Sequence, residues 1–326
     1  MIPTRRTRRV AAALCLLCAS AVSAADMQQG YPAKPMRFVV GFAPGGGTDT
    51  VARILAQKLG ESFGQSVVVD NRAGAGGNIA NELVATAAPD GYTILFVSAS
   101  FAIHPSLYKK LPYDPAKDFT PVSLASSSPY LLALHPSVPA RSVQELIALA
   151  KAQPGKLNYA SAGTGSTLHL AAELFKSMAG VDIVHVPYKG ANGITDLLAG
   201  AVQLTFAGLP QTLPHVKAGR LRGLAVTTSQ RAAAIPELPT IAEAGVPGYE
   251  VDSWYGVLEP AGTPTSRIDA LSNAIRAALR EPDVKAKFAA QGLETRGTSP
   301  RDFGAYITRE MPKWAKVVRA AGISPE

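Results

Sequence analysis

The sequence predicts an α/β fold of two lobes, and three observations point to it. Apolar strand-like runs alternate with amphipathic helical stretches along most of the 326 residues, which argues for parallel-rich sheets flanked by helices. Strand, glycine-rich turn and helix start follow one another twice, at residues 36–60 and again from Leu157. A strand-like segment around Trp254 and a helical final stretch read as the chain returning to complete the first unit.

Taken in order, Phe38, Val39 and Val40 read as a buried strand. Pro44, Gly45, Gly46 and Gly47 turn the chain, and Thr48 or Asp49 offers an N-cap oxygen. Val51, Ile54, Leu55 and Leu59 then recur at helical spacing. A helix start of this kind carries unpaired N–H groups and a partial positive charge, so it can seat an anion. The same pattern also serves as a plain strand-to-helix turn. Residues 66–69 read as a second strand, 70–78 as a glycine-rich turn, 79–88 as a helix and 93–97 as a third strand ending in Ser98, Ala99 and Ser100. Residues 105–121 are proline-rich and read as irregular. Residues 122–134 read as extended but broken at 126–129, forming the first crossing to the second lobe. Residues 143–151 read as a helix, with Ser142 and Glu145 at capping-box spacing.

The second lobe repeats the opening. Residues 157–160 form a strand and 161–166 a turn of glycines and hydroxyls. From Thr167 a helix places Leu168, Ala171, Ala172, Phe175 and Met178 on one face. His169 lies off that stripe, facing either the cleft or solvent. Strands follow at 184–186, 202–206 and 221–227, with a helix closing at 197–199 and a short turn at 214–219. A long connection at 236–249 leads to the returning strand at 253–259, then to helices at 268–279, 284–291 and 303–321. The lobes are assigned as residues 26–124 with 253–326, and residues 125–252. Two lobes with two crossings place a cleft between two helix N-termini, a sensible seat for a carboxylate.

Residues 1–25 read as a secretory signal peptide: Arg5, Arg6, Arg8 and Arg9 precede a short apolar core and small residues at 22–25. Both cysteines, Cys15 and Cys18, fall inside it, so the mature chain is expected to have no disulfide, thiolate metal site or cysteine nucleophile. Setting those residues aside lowers the formal net charge from +8 to +4. No basic cluster with interleaved aromatics remains, which argues against nucleic acid as a partner. Hydrophobic residues at 47% support a sizeable core, and charged residues at 17% without like-charge blocks argue against disorder.

Catalytic patterns do not assemble. No glycine-rich loop carries the Lys-Ser or Lys-Thr of a nucleotide-binding P-loop. The dinucleotide fingerprint fails at Leu168 and at Ile79, where glycine is required. Ser161 and Ser166 lack the flanking glycines of a nucleophile elbow. His104, His135, His169, His185 and His215 show no metal-ligand spacing. The reading is therefore not an enzyme, with no cofactor and no metal. A secreted α/β hydrolase is the alternative from another class, and it needs a Ser-His-acid constellation.

Taken together, the segments at 35–49, 67–80 and 89–95 resemble a known family. So do NYASAGTGSTLHLAAELFK, VPYKG, PHVKAGRLRGLAVT and WYGVLEPAGTP. They are similar to the substrate-binding proteins of tripartite tricarboxylate transporters, the Bug proteins, over essentially all of residues 31–324. The resemblance implies a periplasmic, two-lobed periplasmic-binding-protein fold with Venus-flytrap closure. It implies a monomer that carries a small organic acid to an integral membrane permease, or one that senses the acid and presents its closed form to a signalling partner. Carried onto this chain, the site would comprise Phe42, Ala43, Gly45, Gly46, Gly47 and Asp49, with Ser98 and Ser100 nearby. Across the cleft it would comprise Ser161, Gly163, Thr164, Gly165, Ser166, Thr167 and His169, beside Lys189, Gly190 and Ala191. Asp49 would hold ligand-bound water or cap its helix. Many members carry Asp-Asn where this chain has Ala207-Gly208, which implies a less polar distal wall. From that wall the ligand is expected to lack an ammonium group.

Overall fold

The computed structural model describes residues 30–45, 47–188 and 193–324. The expected signal peptide, Gly46, Lys189, Gly190 and Ala191 lie outside the described residues.

Strand β1 (Met36–Val40) is followed by α1 (Gly47–Phe63), β2 (Val67–Asn71), a 3-10 turn (Ala75–Gly77), α2 (Asn78–Ala85) and β3 (Thr93–Ser98). Then come α3 (Ser100–Leu107), β4 (Phe119–Leu134), α4 (Val143–Ala152), β5 (Asn158–Ser161), α5 (Thr167–Ala179), β6 (Val184–Pro187), α6 (Ile194–Leu198) and β7 (Leu204–Gly208). The chain finishes with α7 (Leu209–Lys217), β8 (Arg222–Val226), β9 (Asp252–Pro260), α8 (Thr265–Ala278), α9 (Pro282–Ala290), β10 (Glu294–Thr295) and α10 (Pro300–Ala320).

The strands join in the order β2-β1-β3-β9-β4-β7-β5-β6, with β8 and β10 also paired to β4. Each end of this order is parallel, β1 with β2 and β3, and β5 with β6 and β7. The middle is antiparallel, because β4 leaves the first half and β9 returns to it alongside. β4 has 16 residues, about 50 Å at strand rise. Its first part pairs with β9 and β10, and its last five residues lie between β7 and β8.

One core packs Phe38, Val40, Val51, Leu55 and Leu59 against Leu271 and Ile275, so α1, α8 and α9 cover one face of the first half. A second core runs from Val39, Leu95 and Phe101 through Leu132 to Tyr159 and Phe175, joining both halves. A third lies under α6 and α7 around Leu131, Leu197 and Val226. Ser142 caps α4 by accepting from the Glu145 N–H at 3.1 Å, while the Glu145 carboxylate accepts from the Arg141 N–H at 2.7 Å.

Four local expectations change. β4 runs unbroken through residues 126–129, because its serine hydroxyls find distant partners. Ser128 Oγ donates to the Gly292 carbonyl at 2.6 Å, Ser123 Oγ donates to the Thr298 carbonyl at 2.9 Å, and Arg296 Nε donates to Ser127 Oγ at 2.7 Å. Residues 100–107 are helical, with Pro105 late enough that the helix loses a single amide. Residues 209–217 are also helical: Pro210 lies in the first turn, where its missing N–H costs nothing, and Pro214 removes a single amide from the interior. On α5 the buried face is rotated: His169, Leu170 and Glu173 join Ala171, Ala172 and Phe175, while Met178 is exposed.

Candidate functional site

The turn between β5 and α5 is built largely by its own polar groups. Gly163 (φ 116°) and Gly165 (φ 76°) adopt left-handed backbone conformations. Gly163 N–H donates to Ser161 Oγ at 3.0 Å, and Ser166 Oγ donates back to the Gly163 carbonyl at 2.7 Å. Gly165 N–H donates to His169 Nδ1 at 3.0 Å. That bond places the neutral His169 proton on Nε2. The α5 start is thereby presented with Ser166 as its cap.

Opposite it stands the start of α3. Ser98 Oγ and Ser100 Oγ share a hydrogen bond of 2.9 Å, and Ser100 Oγ donates to the Gly76 carbonyl at 3.2 Å. Between these two helix starts lies a cavity of about 990 Å³. Phe42, Ser98, Ser100, Thr164, Gly165, Ser166, Thr167 and His169, all expected from the sequence, line it.

The remaining expected residues sit elsewhere. Gly45 and Asp49 border a shallow surface depression with Arg53 and Lys287. Asp49 is buried and accepts from Gly45 N–H (2.9 Å), Arg53 Nε (2.8 Å) and Asn71 Nδ2 (2.9 Å). Burial alone would raise its carboxyl, but these bonds hold it below the usual range. It therefore locks the β1–α1 turn from inside the helix rather than standing at the cap. Ala43 and Gly47 are exposed and are not among the cavity residues. Ser161 is fully buried and Gly163 is not among the cavity residues; both support the turn. Ala207 is fully buried opposite Leu131, so the Ala207-Gly208 departure does not reach the cavity wall.

The cavity also takes residues not singled out from the sequence. Ile103, His104, Leu107 and Tyr108 come from α3 and its end, Tyr130, Ser253 and Tyr255 from β4 and β9, and Ala321–Ser324 from beyond α10. Glu173 and Lys176 extend the α5 wall, with His185 beside them. Their signal was present in the sequence, since Ser166, His169, Glu173 and Lys176 recur at three- and four-residue steps and so share one helix face. Leu107 reaches across: a Cβ added at Gly165 would lie 3.2 Å from its Cδ1.

His169 and His185 stack at 3.9 Å between ring centres, with Tyr159 behind His185 at 5.0 Å. His185 Nε2 lies 2.6 Å from Ser161 Oγ. This serine–histidine pair is not a nucleophile and its base: Ser161 is sealed from the cavity and already engages Gly163. Among the described residues no group of three or more metal-ligating side chains converges, and no helix is long and apolar enough to cross a membrane.

The cavity histidines are neutral near pH 7. Burial, then the neighbouring His185, lowers His169 from 6.5 to about 4, and burial lowers His104 to about 4. Unfolded histidine protonates near pH 6.5, so the stability held by each neutral ring is complete above that pH. It is lost as pH falls toward 4, by about 3 kcal/mol per ring. Burial also raises Asp252 to about 7 and Glu259 to about 8. Their contribution has the opposite sign, complete below about pH 4 and lost as pH rises through 7 and 8. The histidine effect is therefore isolated by difference. The stability gap between wild type and His169→Gln, measured by urea unfolding, should shrink by about 3 kcal/mol from pH 7 to pH 4. A gap that stays constant over that interval counts against a neutral buried ring.

A family model described as the tripartite tricarboxylate transporter family receptor matches residues 51–323. Protein BugT of Bordetella pertussis is 39% identical over 319 residues, 97% of this chain and 98% of its own. A structure from R. palustris solved with adipate is 44% identical, covers 91% of this chain and all of its own, and superposes with a TM-score of 0.75. MatC from Rhodopseudomonas palustris, with bound malate, is 32% identical, covers 88% of this chain and all of its own, and superposes with a TM-score of 0.71.

Proposed function

The chain belongs to the tripartite tricarboxylate transporter receptor family, solute-binding proteins rather than enzymes, and on that premise we propose that it captures a small organic acid in the periplasm and delivers it to an integral membrane permease. The observation that carries this reading is the cavity between the α3 and α5 starts. Both helix starts direct unpaired N–H groups and partial positive charge toward an anion. Phe42, Ile103, Leu107 and Leu168 supply apolar wall between them, suited to the carbon chain of an acid.

The ligand lacks an ammonium group. Burying an ammonium requires a carboxylate or several carbonyls to receive it. Glu173 is the one carboxylate among the described residues lining the cavity, and its charge is already matched by Lys176 Nζ at 2.8 Å, with Tyr159 Oη also donating to it at 2.6 Å. Relatives solved with adipate and malate hold acids without an ammonium.

Capture involves closure of residues 26–124 and 253–326 against 125–252, hinged where β4 and β9 pair at Pro129 and Asp252. Calorimetry with succinate, malate, adipate, citrate, benzoate, aspartate and glutamate tests the reading. Un-aminated acids should bind, and X-ray scattering should show a smaller radius with the bound acid. Tight binding of aspartate or glutamate alone, with no response to the others, overturns it.

A further inference from the structure

The α5 wall of the cavity ends in a cation. Ser166, His169, Glu173 and Lys176 all face the cavity, and Ser166 to Lys176 spans about 15 Å along the helix axis. Lys176 does not extend outward into solvent. Its Nζ lies 2.8 Å from Glu173 Oε1, which in turn lies 3.9 Å from His169 Nε2. The two distances share Glu173 Oε1, so the ammonium lies within about 7 Å of His169 Nε2, a separation the carbon chain of a dicarboxylate can bridge. Among the described residues lining the cavity, Lys176 is the only lysine or arginine.

Its charged partner is Glu173, 2.8 Å away. Among the described side chains lining the cavity, Lys176 is the one positive charge that would attract an anionic group entering this end. An ammonium has three donors and Glu173 uses one, so Lys176 can hold Glu173 and a ligand carboxylate together. Tyr159 Oη also donates to Glu173 Oε1, at 2.6 Å.

We propose that Lys176 receives the second anionic group of the ligand, so that the cavity selects a dianionic acid over a mono-anionic acid of the same length. The assignment rests on the acid-binding reading above. It is tested by calorimetry with adipate and hexanoate on wild type, on Lys176→Met and on Glu173→Gln/Lys176→Met. The double variant removes the carboxylate that the single variant would leave without its cation. Thermal midpoints and circular dichroism report whether each variant is folded. Wild type should prefer adipate by about 10- to 100-fold, and the ratio should fall to about 1 in both variants. A preference retained in the folded double variant, or equal binding of the two acids by wild type, overturns the Lys176 assignment while leaving acid capture standing. Failure of wild type to bind either acid, or any of the acids above, overturns both.

Discussion

Gly256→Ala should lower the thermal midpoint by roughly 5–10 °C, corresponding to about 3 kcal/mol. Gly256 lies in the middle of β9, paired with Val97 on one side and Leu124 on the other. A Cβ built there would lie 2.1, 2.7 and 2.9 Å from three carbons of the Phe303 ring. That ring is fully buried and meets the Trp254 ring edge-on at 5.8 Å. Neither aromatic can swing into solvent, so the added methyl must push α10 away from the sheet. Shortening the opposing side chain relieves the collision. Gly256→Ala/Phe303→Leu should therefore be more stable than the sum of the two single losses, a coupling read by a double-mutant cycle. A midpoint within 1 °C of wild type for Gly256→Ala would mean that α10 does not pack here as described.

Gly165→Val should abolish acid binding, reducing affinity by about 100-fold or more. Two costs combine. Valine at φ 76° is strained, because its branched Cβ crowds the backbone in the left-handed region. The side chain also collides with Leu107 across the cavity, where a Cβ alone already lies 3.2 Å from Cδ1. Relieving either moves the Gly165 N–H off His169 and disturbs the donors of the α5 start. Gly180→Ala is the control for strain without collision. Gly180 closes the same helix at φ 63° with nothing within 4 Å of an added Cβ. It should lose about 1 kcal/mol of stability and keep its affinity. Equal affinities for the two variants would show that the α5 start does not hold the acid.

Local physics made much of this legible. Apolar runs such as Phe38-Val39-Val40, the Ser142/Glu145 cap and the glycine turn before α5 need only neighbours a few residues away. The half of the cavity that the sequence exposed is the half built from those turns. What stayed hidden depends on distance along the chain. Ser126–Pro129 reads as a break until the partners at 292–298 are known, some 164 residues further on for Ser128. Tyr130, Ser253 and Tyr255 enter the site only because β4 and β9 lie side by side. Asp49 is ambiguous for a different reason. A carboxylate in a first helical turn looks the same in sequence whether it meets a ligand or its own loop, and here Gly45, Arg53 and Asn71 occupy it. Lys176 carries little signal in the sequence, because the apolar residues of α5 mark its packing while its cavity-lining residues are polar.

The shared strand β4 has an implication for inheritance and engineering. Its two ends belong to different neighbourhoods, β9 and β10 at one, β7 and β8 at the other. The halves are therefore not interchangeable modules. Cutting between residues 124 and 125 would sever one continuous ladder and leave raw sheet edges on both fragments, templates for aggregation. Grafting one half of a relative onto the other half of a second would need the whole β4–β9 ribbon to travel as the joint. Specificity in such a chain is more readily changed side chain by side chain around the cavity than by exchange of blocks.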